Sequence, residues 1–419
     1  MYRAAVLAAS LFLSVIPSEG QSYLVAPLQN RSAAANLDWI GESVAESVRA
    51  AMDSSDLPVL SREEREEGIK RLSLRPGAPM SFASWTKLTE SLDADFLIHG
   101  QFEFLPAPGS GSVEKTLAPP VPGQTNKEGT GEPPPPVHAT PKGQLRIDVR
   151  VFDRKHVLQT TEIVERGPIE DLALLETLVS YRLVKFLAKD FRLSREEFDR
   201  RHPSVKLTAK ESYIRGLMAT TKEARHRYFA QAVLWEPSFA QPCFYLGLMQ
   251  WDNNNYRVAA SWLERISPFQ DHYWDAQFYL GLSRYQSANF DGALEAFRKL
   301  VGRYPVPEVV NNLGAVELAL EMPEALGHFK AALDREPSDP DYHFNVAYAL
   351  WRTGEFEAAA QKFRAVLDRV NDDQDAILLL GRSLKRSGPR QGEVRTEGLE
   401  RLKEELDLSE FRDARHSAK

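Results

Sequence analysis

The stretches "CFYLGLMQW" (Cys243–Trp251) and "QFYLGLSRY" (Gln277–Tyr285) carry the same five residues, FYLGL, 34 positions apart. The spacing continues beyond this pair. Small residues recur at Gly247, Gly281, Gly314, Ala347 and Gly381, in steps of 34, 33, 33 and 34. A period of that size predicts a solenoid of helix pairs. Each small residue is followed by a second set of markers: Ala293, Phe297, Leu300 and Pro305; then Ala325, Phe329, Ala332 and Pro337; then Ala359, Phe363 and Val366. Close packing explains the pattern. A glycine or alanine on the first helix lets the second approach, and large side chains three or four residues away fill the remaining gaps.

These motifs resemble the tetratricopeptide repeat. About five units are expected over residues 209–388. The unit around Gly314 lacks one residue near Met322 and Pro323, in the turn between its helices, where a deletion is tolerated best. An earlier unit, Ala209 to Pro237, keeps Gly216, Phe229, Ala232 and Pro237 with a shortened turn and reads as a divergent first repeat. The last pair begins near Gln374. Its second helix is degraded into "EVRTEGLERLKEELDLSEF", where Leu399, Leu402 and Leu406 form a narrow apolar stripe. Residues 389–419 are therefore expected to form a capping helix and a tail.

The resemblance implies a concave surface lined by one face of each first helix. Mapped on this chain, that face holds Trp251, Tyr285, Asn311, Phe344, Tyr348, Trp351 and Arg352 as candidate contacts for a protein or peptide partner. Aromatic side chains and arginine are the usual anchors of protein interfaces.

The amino-terminal half follows other periods. "SYLVAPLQN" reads as strand, "LDWIGESVAESVRAAM" as amphipathic helix and "LPVLS" as strand. Ser61 with Glu64 fits a capping box for a second helix, and Ser81 opens a third. The acidic run Glu63, Glu64, Glu66 and Glu67 is a solvated first turn. "DFLIHGQFEF" and "QLRIDVRVF" alternate apolar and polar residues, as an antiparallel pair does when helices cover one face and water the other. On the wet face, His99, Glu103 and Asp148 with Arg146 and Arg150 read as cross-strand charge pairs rather than an acid/base or metal cluster. Residues 106–143, between the two strands, are rich in proline and glycine and read as a disordered insertion.

"APLQNRSAAANLDWIGESVAESV", "ADFLIHGQFEF" and "LRIDVRVFD", followed by the helical stretch from Pro168 to Asp190, resemble the TolB-like (FlgO-like) α/β domain of bacterial envelope proteins. That resemblance implies a protein-binding accessory module with no catalytic residues to carry over. The fold class expected is α+β: a two-layer α/β domain over residues 21–192, a linker at 193–208, then the all-α solenoid.

Residues 1–20 read as a secretory signal peptide, with Arg3, an apolar run from Ala4 to Ile16 and the helix-ending Pro17, so the mature chain is expected to begin near Gln21 or Tyr23. No later segment is apolar enough to span a membrane. An exported chain with the single cysteine Cys243 has no internal disulfide, and this thiol, inside an apolar helix, reads as buried and inert. With a net charge of −7 and no basic stripe, nucleic acid is not an expected partner. Phosphate-binding glycine loops, paired metal-ligand histidines and nucleophile elbows are all missing from the sequence, and no cofactor is expected. The expectation is a non-enzymatic exported scaffold or adaptor, periplasmic or envelope-associated, engaged in envelope assembly or maintenance. The alternative is an enzyme or regulatory sensor whose α/β domain binds a ligand, with the repeats as an appendage.

Overall fold

The computed structural model describes residues 21–32, 34–74, 80–107, 115–116, 137–138, 142–188, 190–268, 270–389 and 400–406. The signal segment lies outside these residues, as does most of the proline-rich insertion. The chain divides into two compact units, one of residues 1–242 with 269–271 and the other of 243–268 with 272–419.

The first unit opens with β1 (Tyr23–Val25), β2 (Gln29–Asn30), α1 (Trp39–Asp53), α2 (Arg62–Arg71) and α3 (Phe82–Ser91). It continues through β3 (Phe96–Pro106), β4 (Lys115–Thr116), β5 (Val137–His138), β6 (Gly143–Asp153), β7 (Leu158–Pro168), α4 (Leu172–Leu187) and α5 (Arg195–Arg201). The sheet order is β1-β3-β6-β7, with β1 and β2 parallel to β3 and the later strands antiparallel. The β3–β6 pair closes with Pro106 opposite Gly143, so the insertion leaves from the end of a long ladder. Within the insertion, β4 and β5 pair with each other. "LPVLS" contributes one parallel bridge, Tyr23 to Val59, rather than a full strand.

Local signals account for the helix starts. The Ser61 hydroxyl accepts from the Glu64 amide at 3.2 Å while the Glu64 carboxylate accepts from the Ser61 amide at 2.7 Å, which is the capping box. Ser81 caps α3 through the Ser84 amide at 3.1 Å.

Helical cover of a single sheet face holds only at one end. There Glu103 is exposed and Arg146 half-buried. At the other end α2 and α3 close over Leu24, Leu97 and Phe152, while Phe96 and Ile98, on the opposite side of β3, are equally buried. The alternating pattern misses this cover because Leu97 and Phe152 are the two large apolar residues set among the polar positions. The same unit also takes in α6 (Leu207–Met218) and α7 (Lys222–Trp235). Lys210 of α6 donates to Ser47 of α1 at 2.9 Å and lies 3.4 Å from the buried Glu176 of α4, which also accepts from Ser43 and Ser47.

In the second unit the helices are α8 (Gln241–Asp252), whose first two residues belong to the other unit, α9 (Tyr256–Leu263), α10 (Tyr273–Gln286), α11 (Phe290–Arg303) and α12 (Pro307–Ala319). Then come α13 (Ala325–Arg335), α14 (Pro340–Arg352), α15 (Phe356–Leu367) and α16 (Gln374–Leu384). Three of the repeat glycines do what their spacing predicts, while Gly381 has no described atom within 4 Å of its Cβ position. A Cβ on Gly247 would lie 2.7 Å from Leu263, on Gly281 2.8 Å from Phe297, and on Gly314 2.9 Å from Phe329, so each helix pair packs too closely for any side chain. Gly216, between α6 and α7, is held in the same way by Phe229 at 2.6 Å.

The capping helix is a correction. Residues 400–406 form neither helix nor strand, and 390–399 and 407–419 lie outside the described residues. Leu402 and Leu406 do find apolar partners, but from an irregular chain: Leu402 packs against the clusters of both α10–α12 and α12–α16, and Leu406 against the first of these.

Candidate binding groove

Residues 400–406, Glu-Arg-Leu-Lys-Glu-Glu-Leu, lie along the first helices of three successive repeats. Their backbone is held by asparagines. Asn311 and Asn345 both donate to the Arg401 carbonyl at 2.8 Å, and the Arg401 amide donates back to Asn345 at 2.7 Å. Two residues on, Asn312 donates to the Lys403 carbonyl and accepts from its amide, each at 2.8 Å. Asn345 also donates to Asn311 at 2.7 Å, which fixes both amide planes. Alternate residues present both backbone groups to one wall, as an extended chain does. All three asparagines are fully buried, and the segment supplies the partners that buried amides require.

Side chains are read as well. The Arg401 guanidinium sits over the Phe344 ring, 3.8 Å from its centre, and bridges Asp341 at 3.1 Å and Asp373 at 2.7 Å. The Lys403 ammonium reaches Asp339 and Asp341, each at 2.7 Å, and lies 5.0 Å from the centre of the Tyr342 ring. Leu402, between them in sequence, is half-buried against the apolar clusters of the repeats. The Tyr285 hydroxyl donates to the buried Glu400 carboxylate. Burial alone would raise the Asp341 carboxyl, but Lys403 and then Arg401 outweigh it and hold it below the ordinary carboxylate range. For Lys403 burial acts downward, and the hydrogen bonds to Asp339 and Asp341 overcome it and push the ammonium up.

Of the expected groove residues, Tyr285, Asn311 and Phe344 touch this segment. Trp251 is half-buried in the same apolar cluster as Leu406, with the rings of Tyr256 and Tyr279 at 5.0 and 6.1 Å. Trp351 is not an exposed anchor. It is 1 % exposed, donates from Nε1 to the Ser387 carbonyl at 2.8 Å and carries the Arg382 guanidinium 4.7 Å from its ring centre. Tyr348, 2 % exposed, stacks between Phe344 and Trp351. Arg352 turns to the preceding repeat, donating to the Leu318 carbonyl at 3.2 Å. Helical spacing selects one face of α14 but does not say where the neighbouring helix ends, and the chain after α16 lies over Trp351. Asn312, Asn345, Asp339, Asp341 and Asp373 were missed. One signal was present: Asn345 follows Asn311 by 34 residues, one repeat period, so the two occupy the same position in adjacent units.

In the amino-terminal unit, Asp148 accepts from Arg146, two residues before it on the same strand, at 2.8 Å and from the uncharged Gln101 of β3 at 3.3 Å, so the expected cross-strand pairing of these charges is met only by Arg150, which pairs with Glu162 of β7 at 2.7 Å. His99 lines a cleft with Gln29, Phe82, Trp85 and Arg150. Its Nε2 is buried without a hydrogen-bond partner, and burial followed by Arg150 lowers its pKa. Among the described residues, no three metal-capable side chains come together. None of the helices there is long and apolar enough to cross a membrane. Cys243 is buried, and its thiol pKa is pushed up to about 11 by that burial.

Comparison with known proteins adds to this geometry. Two family models described as tetratricopeptide repeat match the chain, at residues 275–305 and 320–376, so these stretches are tetratricopeptide repeats. No curated protein matches the chain. Among solved structures, YrrB, described as a TPR protein with an unusual peptide-binding site, is 20% identical over 38% of this chain and 82% of its own, with a TM-score of 0.33. MamA from Desulfovibrio magneticus RS-1 is 17% identical over 40% of this chain and 95% of its own, with a TM-score of 0.35. PilF of Pseudomonas aeruginosa is 18% identical over 50% of this chain and 87% of its own, also with a TM-score of 0.35.

Proposed function

We propose that this protein is a non-enzymatic scaffold that holds protein or peptide partners in its repeat groove and works outside the cytoplasm, in assembly or maintenance of the cell envelope. The observation that carries the binding reading is the set of asparagines, Asn311, Asn312 and Asn345, which hold a chain by its backbone. Backbone contacts supply affinity for any extended segment, and the flanking side chains then select among sequences. The signal-like amino terminus supports export, and the resemblance of residues 22–190 to TolB-like domains supports an envelope setting and an accessory, protein-binding part for the first unit.

Panning a random peptide library against the full chain and against its Asn311→Ala/Asn345→Ala variant tests the groove. Peptides retained by the parent and lost by the variant support it. Peptides retained equally by both put recognition on another surface. Export is tested by amino-terminal sequencing of the protein from its native host: a chain beginning near Gln21 or Tyr23 supports it, and recovery of Met1 on a cytosolic protein overturns it.

A further inference from the structure

The groove is occupied by the chain's own segment, and the chemistry of that segment describes what the groove selects. We infer that the partner presents an extended stretch with a basic residue, an apolar residue and a second basic residue in succession, and that it enters by displacing residues 400–406. The inference rests on the groove being a protein-binding site, as proposed above.

Three features point to this class. The two basic side chains of the segment meet acids from separate elements: Asp339 and Asp341 at the start of α14, and Asp373 just before α16. An acidic or neutral stretch in the same register would leave those carboxylates facing like charge or nothing, which selects against it. Arg401 and Lys403 share Asp341 on one side of the segment, while Leu402 packs against apolar clusters, as the alternating side chains of an extended chain do. Finally, the asparagine contacts go to backbone atoms alone, so a foreign chain reproduces them at no sequence cost.

The resident segment sets a threshold. A tethered ligand acts at an effective concentration of roughly millimolar, so a partner must exceed that competition before it enters. Weak, sequence-poor peptides are kept out. A partner with a better-matched basic–apolar–basic stretch, or one presented in several copies, exchanges with the tail and frees it.

The test uses the full chain and a labelled synthetic peptide, LERLKEELD, the sequence of residues 399–407, followed by fluorescence anisotropy. The Arg401→Ser/Leu402→Ser/Lys403→Ser chain, whose own segment keeps only the backbone contacts and is expected to dock weakly, should bind the peptide about ten-fold or more tightly than the parent. Adding Asp339→Asn and Asp341→Asn, which keep the helix cap and the shape but remove two charges, is expected to lose about ten-fold of that affinity. A peptide with glutamate at the Arg401 and Lys403 positions is expected not to bind. Should the triple variant fold poorly, a parent chain carrying a protease site within 390–398 is cut after folding and the freed tail is competed off with the same peptide.

Equal peptide binding by parent and triple-serine chains, or indifference to the aspartate changes or to the glutamate peptide, overturns the inference. So does a concentration-dependent dimer of the parent by sedimentation that the triple serine change abolishes, since the segment would then serve a second copy. If library panning yields groove-dependent peptides without the basic–apolar–basic pattern, this inference falls while the groove itself stands.

Discussion

The Arg401 guanidinium lies 3.8 Å from the centre of the Phe344 ring and bridges two carboxylates from different helix starts, Asp341 and Asp373. One side chain thereby ties the carboxyl-terminal segment to two repeats. Arg401→Ala removes a cation–π contact and charge-assisted bonds at a partly exposed site, so docking should weaken by about 1–2 kcal/mol and the open population rise about five- to thirty-fold. Trypsin reports this directly. Cleavage after Lys403 should be slow in the parent and correspondingly faster in the variant, with the melting temperature of the repeats nearly unchanged.

Docking should also fail in acid. The Asp341 carboxyl is held below its ordinary range in the docked state. Its contribution is therefore fully present above the undocked pKa of about 4 and is lost as pH falls through the lower, docked value. Lys403, whose pKa is raised, contributes below its undocked value of about 10.4 and loses that contribution only as pH rises through the higher docked value. Segment release, followed by a fluorophore at the carboxyl terminus, should be flat from about pH 5 to 9 and rise below pH 4. Release that begins at pH 6 to 7 would point to a histidine instead.

Trp351→Ala should act on folding. The ring is buried, hydrogen-bonded to Ser387 and capped by Arg382, so truncation should cost roughly 3–5 kcal/mol of unfolding free energy in urea titrations. Trp351→Phe keeps most of the packing and should cost about 1–2 kcal/mol. A Trp351→Ala chain with unaltered stability would return this residue to the surface.

Two substitutions at the same repeat position should have opposite signs. Gly281→Ala puts a Cβ 2.8 Å from the Phe297 ring and should destabilise by about 1–3 kcal/mol. Gly381 has no described atom within 4 Å of such a Cβ, so Gly381→Ala should gain up to about 1 kcal/mol from helix propensity alone. Denaturant midpoints of the two variants decide the matter.

Replacing residues 107–142 with a short glycine-containing turn should leave the melting temperature within a few degrees. Pro106 and Gly143 are cross-strand partners, and closing a shorter loop between them lowers, if anything, the entropic cost. A loss of ten degrees or more would show that the insertion packs against the sheet.

The capping box at Ser61, the alternation in β3 and β6 and the glycines of the repeats were all legible in the sequence. Each depends on contacts within one element or between neighbours in the chain, and such contacts leave a fixed spacing. The period of 33 and 34 residues fixed the solenoid because one packing problem recurs in every unit. What covers the ends and faces of those units left no such trace. Leu402 and Leu406 read as one stripe of a capping helix, since a spacing of four fits a helix and equally suits two separate apolar contacts along an irregular chain. Trp351 read as a groove anchor because helical spacing gives a direction from the axis and not the presence of a neighbour 36 residues on, where Ser387 receives its indole hydrogen. Tertiary structure alone set Arg401 between Asp341 and Asp373, because it brings together charges that lie 60 and 28 residues from it in the chain.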